Sequence, residues 1–232
     1  MHTPPTALRY GTLGLALGRI QHWWYRATGK HRYDRLAIEW VHGTPLLVMP
    51  TVFNPRTLRT GAFFAHSLAD GRLTRDRVVL DMGTGSGVCA IAAARHARRV
   101  VAVDINRNAV RCARANALMN QLEDRVEVRH GDLYAPLGAE RFDLILFNPP
   151  FLKGEPKSER DCAWRSPDAI ERFAAGLDER LEPGGTALVL LSTWGDSTAF
   201  LGEFERHGFR VAPWAQKHFV NETLTIFRVD RG

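Results

Sequence analysis

From Val78 onward, short apolar runs alternate with segments of helical periodicity, and that alternation leaves few folds open. Residues 78–80, 100–103, 126–128, 142–147 and 186–191 read as strands, being brief and rich in Val, Ile, Leu and Phe. Between them, residues 88–96, 108–119, 169–181 and 197–207 carry apolar side chains at helical spacing. Strands that alternate with helices predict a mostly parallel sheet with helices on both faces. Pro183-Gly184-Gly185 is expected to stop the helix before the fifth strand. Residues 209–211 and 224–229 predict two closing strands joined by a long connection, with an antiparallel strand at the C-terminus.

Upstream, residues 36–41 and 46–49 flank His42-Gly43-Thr44 and read as a β-hairpin. Residues 58–68 read as a helix leading into the alternation, and residues 8–28 as a broken amphipathic helix ending in Trp23-Trp24-Tyr25. Before Asp34 there is no acid, whereas Arg9, Arg19, Arg26, Lys30 and Arg32 are basic. That composition is like an organelle transit peptide, but Gly11, Gly14 and Gly18 weaken its helix and no small-residue cleavage site follows an apolar core. Residues 1–55 are therefore expected to form a helix-and-hairpin extension able to cover a substrate, and residues 56–232 the main domain.

Composition narrows the function. The three cysteines form no Cys-x-x-Cys pair and read as reduced thiols of a cytoplasmic protein. The nine histidines show no His-x-x-x-His spacing, so no metal site is expected. No apolar run is long enough to cross a bilayer, and no membrane partner is expected. A net charge of +6 leans weakly toward an anionic partner such as RNA. Nothing in the sequence sets an oligomeric state.

The turn after the first strand of the alternation is Asp81-Met82-Gly83-Thr84-Gly85-Ser86-Gly87. Glycines there permit a tight turn and let a ligand touch the backbone. Gly85-x-Gly87-x-x-Ala90 with Asp104 downstream satisfies a loose dinucleotide template, so a nicotinamide or flavin is a competing cofactor. Electrostatics decides between them. A carboxylate at Asp81, directly before the glycines, would repel a pyrophosphate. It suits S-adenosylmethionine, which carries an ammonium and a sulfonium and no phosphate. Asp104 can accept both ribose hydroxyls, Ile105 can lie against the adenine, and Asp132 in Gly131-Asp132-Leu133 can accept the adenine amino group. Three aspartates at successive strand ends are placed where open α/β sheets bind ligands.

After the fourth strand comes Asn148-Pro149-Pro150-Phe151. Two prolines stiffen the backbone between an amide and an aromatic ring. Such a step can grip a flat, hydrogen-bonding group.

Taken together, Leu80–Gly87, Val103-Asp104-Ile105-Asn106, Gly131-Asp132-Leu133 and Asn148-Pro149-Pro150-Phe151 resemble class I S-adenosylmethionine-dependent methyltransferases in order and spacing. The last motif is similar to the Asn-Pro-Pro-aromatic, amino-methyltransferase branch, and within it to HemK-type release-factor glutamine methyltransferases. The resemblance implies a Rossmann-like, doubly wound α/β fold with a seven-stranded sheet, over about residues 50–230. It implies that Asp81, Gly83, Thr84, Gly85 and Gly87 hold the methionine part of the cofactor, Asp104 and Ile105 its ribose and base, and Asp132 and Leu133 the adenine edge. Asn148, which also borders the cofactor, and the Pro149 carbonyl would accept hydrogen bonds from the target nitrogen. Pro150 would hold the step rigid and Phe151 would stack on the planar target. A glycine-rich segment usual downstream is replaced here by Asp161-Cys162-Ala163-Trp164-Arg165-Ser166-Pro167. The methyl acceptor implied is a protein glutamine; RNA or DNA exocyclic amines and small amines or amides remain alternatives, and so does a cofactor-binding subunit without catalysis of its own.

Overall fold

The computed structural model of the chain describes residues 35–69, 73–158 and 161–232. The helix expected over residues 8–28 lies outside them. The described part opens with a hairpin, β1 (Ala37–Val41) and β2 (Thr44–Val48). Its two-residue turn, His42-Gly43, has φ of 48° and 75°, the double positive φ that matches the twist of paired strands.

One helix was expected over residues 58–68 and two short ones are found, α1 (Pro55–Leu58) and α2 (Thr60–Ser67). Asn54 caps α1 by accepting from the amides of Arg56 and Thr57. Arg59 then takes a left-handed φ of 62° and breaks the run.

The alternation builds β3 (Val78–Met82), α3 (Val88–Ala94), β4 (Arg99–Asp104), α4 (Arg107–Met119), β5 (Val126–His130) and β6 (Phe142–Phe147). A small parallel pair follows the double proline, β7 (Leu152–Lys153) and β8 (Arg165–Ser166). Then come α5 (Ala169–Arg180), β9 (Leu181–Ser192), α6 (Ser197–Arg206), β10 (Phe209–Phe219) and β11 (Glu222–Arg231). The large sheet has seven strands in the order β10-β11-β9-β6-β3-β4-β5, and β11 alone runs antiparallel to its neighbours. The fold is the expected Rossmann-like one.

Two expectations are corrected. Pro183-Gly184-Gly185 does not separate helix from strand: α5 ends at Arg180, and β9 already begins at Leu181 and runs through the triplet. The register to β6 slips between Phe142 and Leu144 to admit it. Gly185 is needed there, since a Cβ would lie 2.8 Å from the Phe142 carbonyl oxygen. Nor is there a long connection between the closing strands. β10 and β11 form one long hairpin turning at Val220-Asn221.

Apolar side chains fill both faces of the sheet. Phe63, Phe64, Ile91 and Val110 of the helices on one side pack with Val79, Val100 and Leu146. On the other, Phe173, Leu177, Phe200 and Phe204 pack with Leu80, Val101 and Ile145. The strand order reverses direction between β3 and β6, so their carboxyl ends frame a crevice. The β1–β2 hairpin is tied beside it by Asn116 of α4, which is fully buried. Its Oδ1 accepts from the Leu47 amide at 2.6 Å, and its Nδ2 donates to the carbonyls of Leu47 (2.7 Å) and Ser86 (2.8 Å).

Candidate active site

β3 delivers Asp81 to the crevice almost wholly buried. Its Oδ2 accepts from the Thr84 hydroxyl at 2.6 Å and from the Ala90 amide at 3.0 Å, which ties the strand end to the first turn of α3. Burial pushes its carboxyl up to about 7; the two hydrogen bonds oppose the rise and the nearby Asp104 adds to it. Among the described residues, no cationic side chain figures among the groups acting on it. Gly83, Gly85 and Gly87 hold φ of 66°, 56° and 81°, a path that side chains with a Cβ rarely follow.

β4 ends at Asp104, whose Oδ2 accepts from the Gly85 amide and Oδ1 from the Asn106 amide, both at 2.8 Å. Burial raises this carboxyl too. The next residue, Ile105, leaves 54% of its surface exposed, unusual for so large an apolar side chain beside a cavity. Asn106 caps α4 and donates to the Thr51 carbonyl at 3.3 Å. After β5, Leu133 adopts φ of 46°, a strained value for a branched residue. Asp132 accepts from Arg172 at 2.7 Å.

β6 ends at Asn148. Its Nδ2 donates to the Thr60 hydroxyl at 3.4 Å, and its Oδ1 is buried with no hydrogen-bond partner among the described residues. Phe151 is 6% exposed and packs largely into the core.

These strand ends wall a single cavity of about 330 Å³, within the range of small-molecule sites. Of the residues expected to form the site, Asp81, Gly83, Thr84, Gly85, Asp104, Ile105, Asp132, Leu133, Asn148, Pro150 and Phe151 line it. Gly87 and Pro149 are not part of its wall. Gly87 serves packing instead: a Cβ there would lie 3.1 Å from the Ala113 backbone of α4.

Other wall residues had no signal in the sequence. Thr51, Val52 and Phe53 come from the stretch between hairpin and α1, which the prolines marked only as a break. Arg165 and Arg172 come from β8 and α5. The Phe53 and Trp164 rings meet at 5.0 Å and join the two stretches across the crevice.

The fold and the site define a doubly wound α/β protein with a small-molecule crevice at its strand ends, lined by Asp81, Asp104 and Asp132 among others. The chain belongs to the methyltransferase small domain family, whose sequence model matches residues 44–207. Among curated proteins it is 34% identical over 167 residues to a ribosomal protein uL3 glutamine methyltransferase of Bradyrhizobium diazoefficiens, covering 63% of this chain and 52% of that one. It is 33% identical over 183 residues to a release factor glutamine methyltransferase of Geobacter sulfurreducens, covering 72% and 62% respectively. The chain thus spans little more than half the length of these relatives. Among solved structures, the Thermus thermophilus 16S rRNA N2 G1207 methyltransferase, in complex with AdoMet and guanosine, shares the fold with a TM-score of 0.63 at 21% identity, covering 85% of this chain and 50% of that one. No described helix is long and apolar enough to cross a membrane.

Proposed function

We propose that the protein is an S-adenosylmethionine-dependent N-methyltransferase whose acceptor is the side-chain amide of a protein glutamine. One observation carries the reaction type: the orphaned Oδ1 of Asn148. A buried acceptor with nothing to accept costs about 1–3 kcal/mol, so its partner is expected from a ligand that brings an N–H. The names of the curated relatives support the glutamine.

The wall fits the cofactor. Asp81 is a buried carboxyl with no cation at it among the described residues, and an ammonium would satisfy its ionised form. Gly83, Thr84 and Gly85 give the methionine part a close backbone approach. Each Asp104 oxygen spends one lone pair on a backbone amide and keeps another for a ribose hydroxyl. Ile105 and Leu133 offer apolar contact to the base, and Asp132 an acceptor for its amino group. S-adenosylmethionine supplies an electrophilic methyl carbon on a sulfonium, open to in-line attack by nitrogen.

The chain's own part is placement and charge. An amide nitrogen is a poor nucleophile because its lone pair is delocalised. The Asn148 oxygen lines the cavity and can accept one N–H group; the Pro149 carbonyl, outside the wall in the free protein, would accept the second once the acceptor is seated, and the two would hold the nitrogen out of the amide plane. Their partial negative charge favours the positive charge that grows on nitrogen. Pro149 and Pro150 keep the two acceptors rigid relative to each other. Phe151 limits the slot on its cavity side. Positioning of this kind can supply up to roughly 7–11 kcal/mol. A base ahead of the attack is unnecessary, since the proton can leave to water afterwards.

Asn148→Ala is the test. Calorimetry should find cofactor affinity within about threefold of wild type, while transfer of a tritiated methyl group falls at least about 100-fold. Normal methylation by this variant would refute the mechanism. The net charge of +6 favours a second acceptor, an exocyclic amine of an RNA or DNA base. Fractionating labelled extract into protein and nucleic acid separates the two.

A further inference from the structure

We infer that Thr60 is a positioning residue for the acceptor site, acting through Asn148. The inference rests on Asn148 being the amide that receives the acceptor. Thr60 opens α2, is 2% exposed, and its hydroxyl oxygen receives the Asn148 Nδ2 at 3.4 Å from 88 residues away in the chain. The opposite corner of the same amide is the partnerless Oδ1. The terminal torsion of an asparagine is broad, so an untethered amide swings. Tethered at Nδ2, it keeps its plane and keeps Oδ1 available.

The neighbours of Thr60 hold that hydroxyl still. Arg59, directly before it, keeps a left-handed φ of 62°, a conformation that a residue with a Cβ adopts only at a cost. Its guanidinium lies over the Phe219 ring of β10, 4.9 Å from the centroid. Gly61, directly after it, leaves little room for a side chain: a Cβ would lie 3.0 Å from Val88 Cγ1 and 3.2 Å from Pro55 Cβ. Elements α1, α3 and β10 therefore crowd one turn whose product is a fixed oxygen behind Asn148. A bond of 3.4 Å is long and adds little to stability. Orientation is where it acts, because a misplacement of about 1 Å at a reacting group can cost 100-fold in rate.

The test compares Thr60→Val, which keeps the shape and removes the oxygen, with Thr60→Ser, which keeps the oxygen. The probe is a synthetic peptide with one central glutamine and tritiated S-adenosylmethionine. Thr60→Val should lower kcat by about 10- to 100-fold with acceptor KM and cofactor affinity within about threefold of wild type, and Thr60→Ser should recover most of the loss. A valine variant as fast as wild type overturns the inference. So does a loss that serine fails to rescue, or one that comes with weakened cofactor binding, since either marks packing. A second readout needs no acceptor: the side-chain amide resonances of Asn148 in a 15N–1H spectrum should move in Thr60→Val and stay in Thr60→Ser. If the wild-type protein leaves the peptide unmethylated, the glutamine reading fails by itself. The Asn148 resonances then decide on Thr60, and a pair unmoved by valine overturns it.

Discussion

Ile105 separates binding from stability at the scale of one residue. Its side chain is more than half exposed, so it contributes little to the fold, yet it borders the cavity. Truncation should change stability by no more than about 0.5 kcal/mol. Covering its open apolar surface with a ligand is worth about 1 kcal/mol. Ile105→Ala is therefore expected to leave the melting temperature in place and to weaken cofactor binding about fivefold by calorimetry. Asp104 is the contrasting case, because its carboxylate also pins the Gly85 and Asn106 amides. Asp104→Ala should lower both affinity and melting temperature; a stable variant with unchanged affinity would remove it from the site. The three aspartates could be read in advance, since they lie at successive strand ends of a βα alternation, where open α/β sheets bind ligands. The link from Asp104 to the Gly85 amide could not, because a hydrogen bond across nineteen residues leaves no local pattern.

Among the elements, the β1–β2 hairpin is held by side chains of a distant helix, Asn116 above all, with Cys112 and Asn120 beside it. Asn116→Ala would strip the Leu47 amide of its partner, leave the Leu47 carbonyl to the Cys112 thiol, and take one partner from the Ser86 carbonyl. Unsatisfied buried groups cost about 1–3 kcal/mol each, so a loss of about 2–4 kcal/mol is expected. Hydrogen exchange should quicken across residues 37–48 more than across β3 or β4. Gly87→Ala tests the packing of α3 on α4. A left-handed φ of 81° and a 3.1 Å approach to Ala113 together predict a loss of about 1–3 kcal/mol, seen as a fall of about 2–4 °C in melting temperature per kcal/mol. What could be read of the elements follows how they are buried. Strands β3, β4 and β6 lie inside the sheet, so their sequences are continuous apolar runs. β10 is an edge strand, largely exposed from Arg210 onward, with Pro213 at a bulge, and neither propensity nor pattern marks it beyond its first residues. The break at Arg59 was hidden because arginine carries no turn signal; crowding around Gly61 and the Phe219 ring impose it.

On the scale of the whole molecule, much of the positive charge is already engaged. Arg99 and Arg129 share Glu127 and Glu140 at the β4–β5 side of the sheet, Arg77 meets Asp143, and Arg231 meets Asp178. Such pairs cancel one base against one acid, so they leave the net charge of +6 unchanged. These pairs also shape the response to pH. Hydrogen bonds from Arg129 and Arg99 hold the Glu127 carboxyl down at about 2, so its contribution is present above its ordinary value and is lost as pH falls toward 2. Because the pair is half exposed, that limb is shallow. Asp81 acts in the opposite direction. Its folded value of about 7 lies above the unfolded 3.8, so the folded state holds a proton that the unfolded chain has released. Stability is therefore lost as pH rises from about 4 to about 7, on the order of 4 kcal/mol, and Asp104 pulls the same way. The free protein should melt highest near pH 4–5. A ligand ammonium beside Asp81 would restore the ionised carboxylate, so binding below pH 7 releases a proton and affinity climbs with pH until about 7. Melting curves from pH 3 to 9, with and without S-adenosylmethionine, should diverge as pH rises, and calorimetry in two buffers of different ionisation heat should count the released proton. A melting temperature that stays level between pH 5 and 7 without cofactor would mean that Asp81 is already charged in the free protein, and the cation-seeking site would then need another cation on the chain itself.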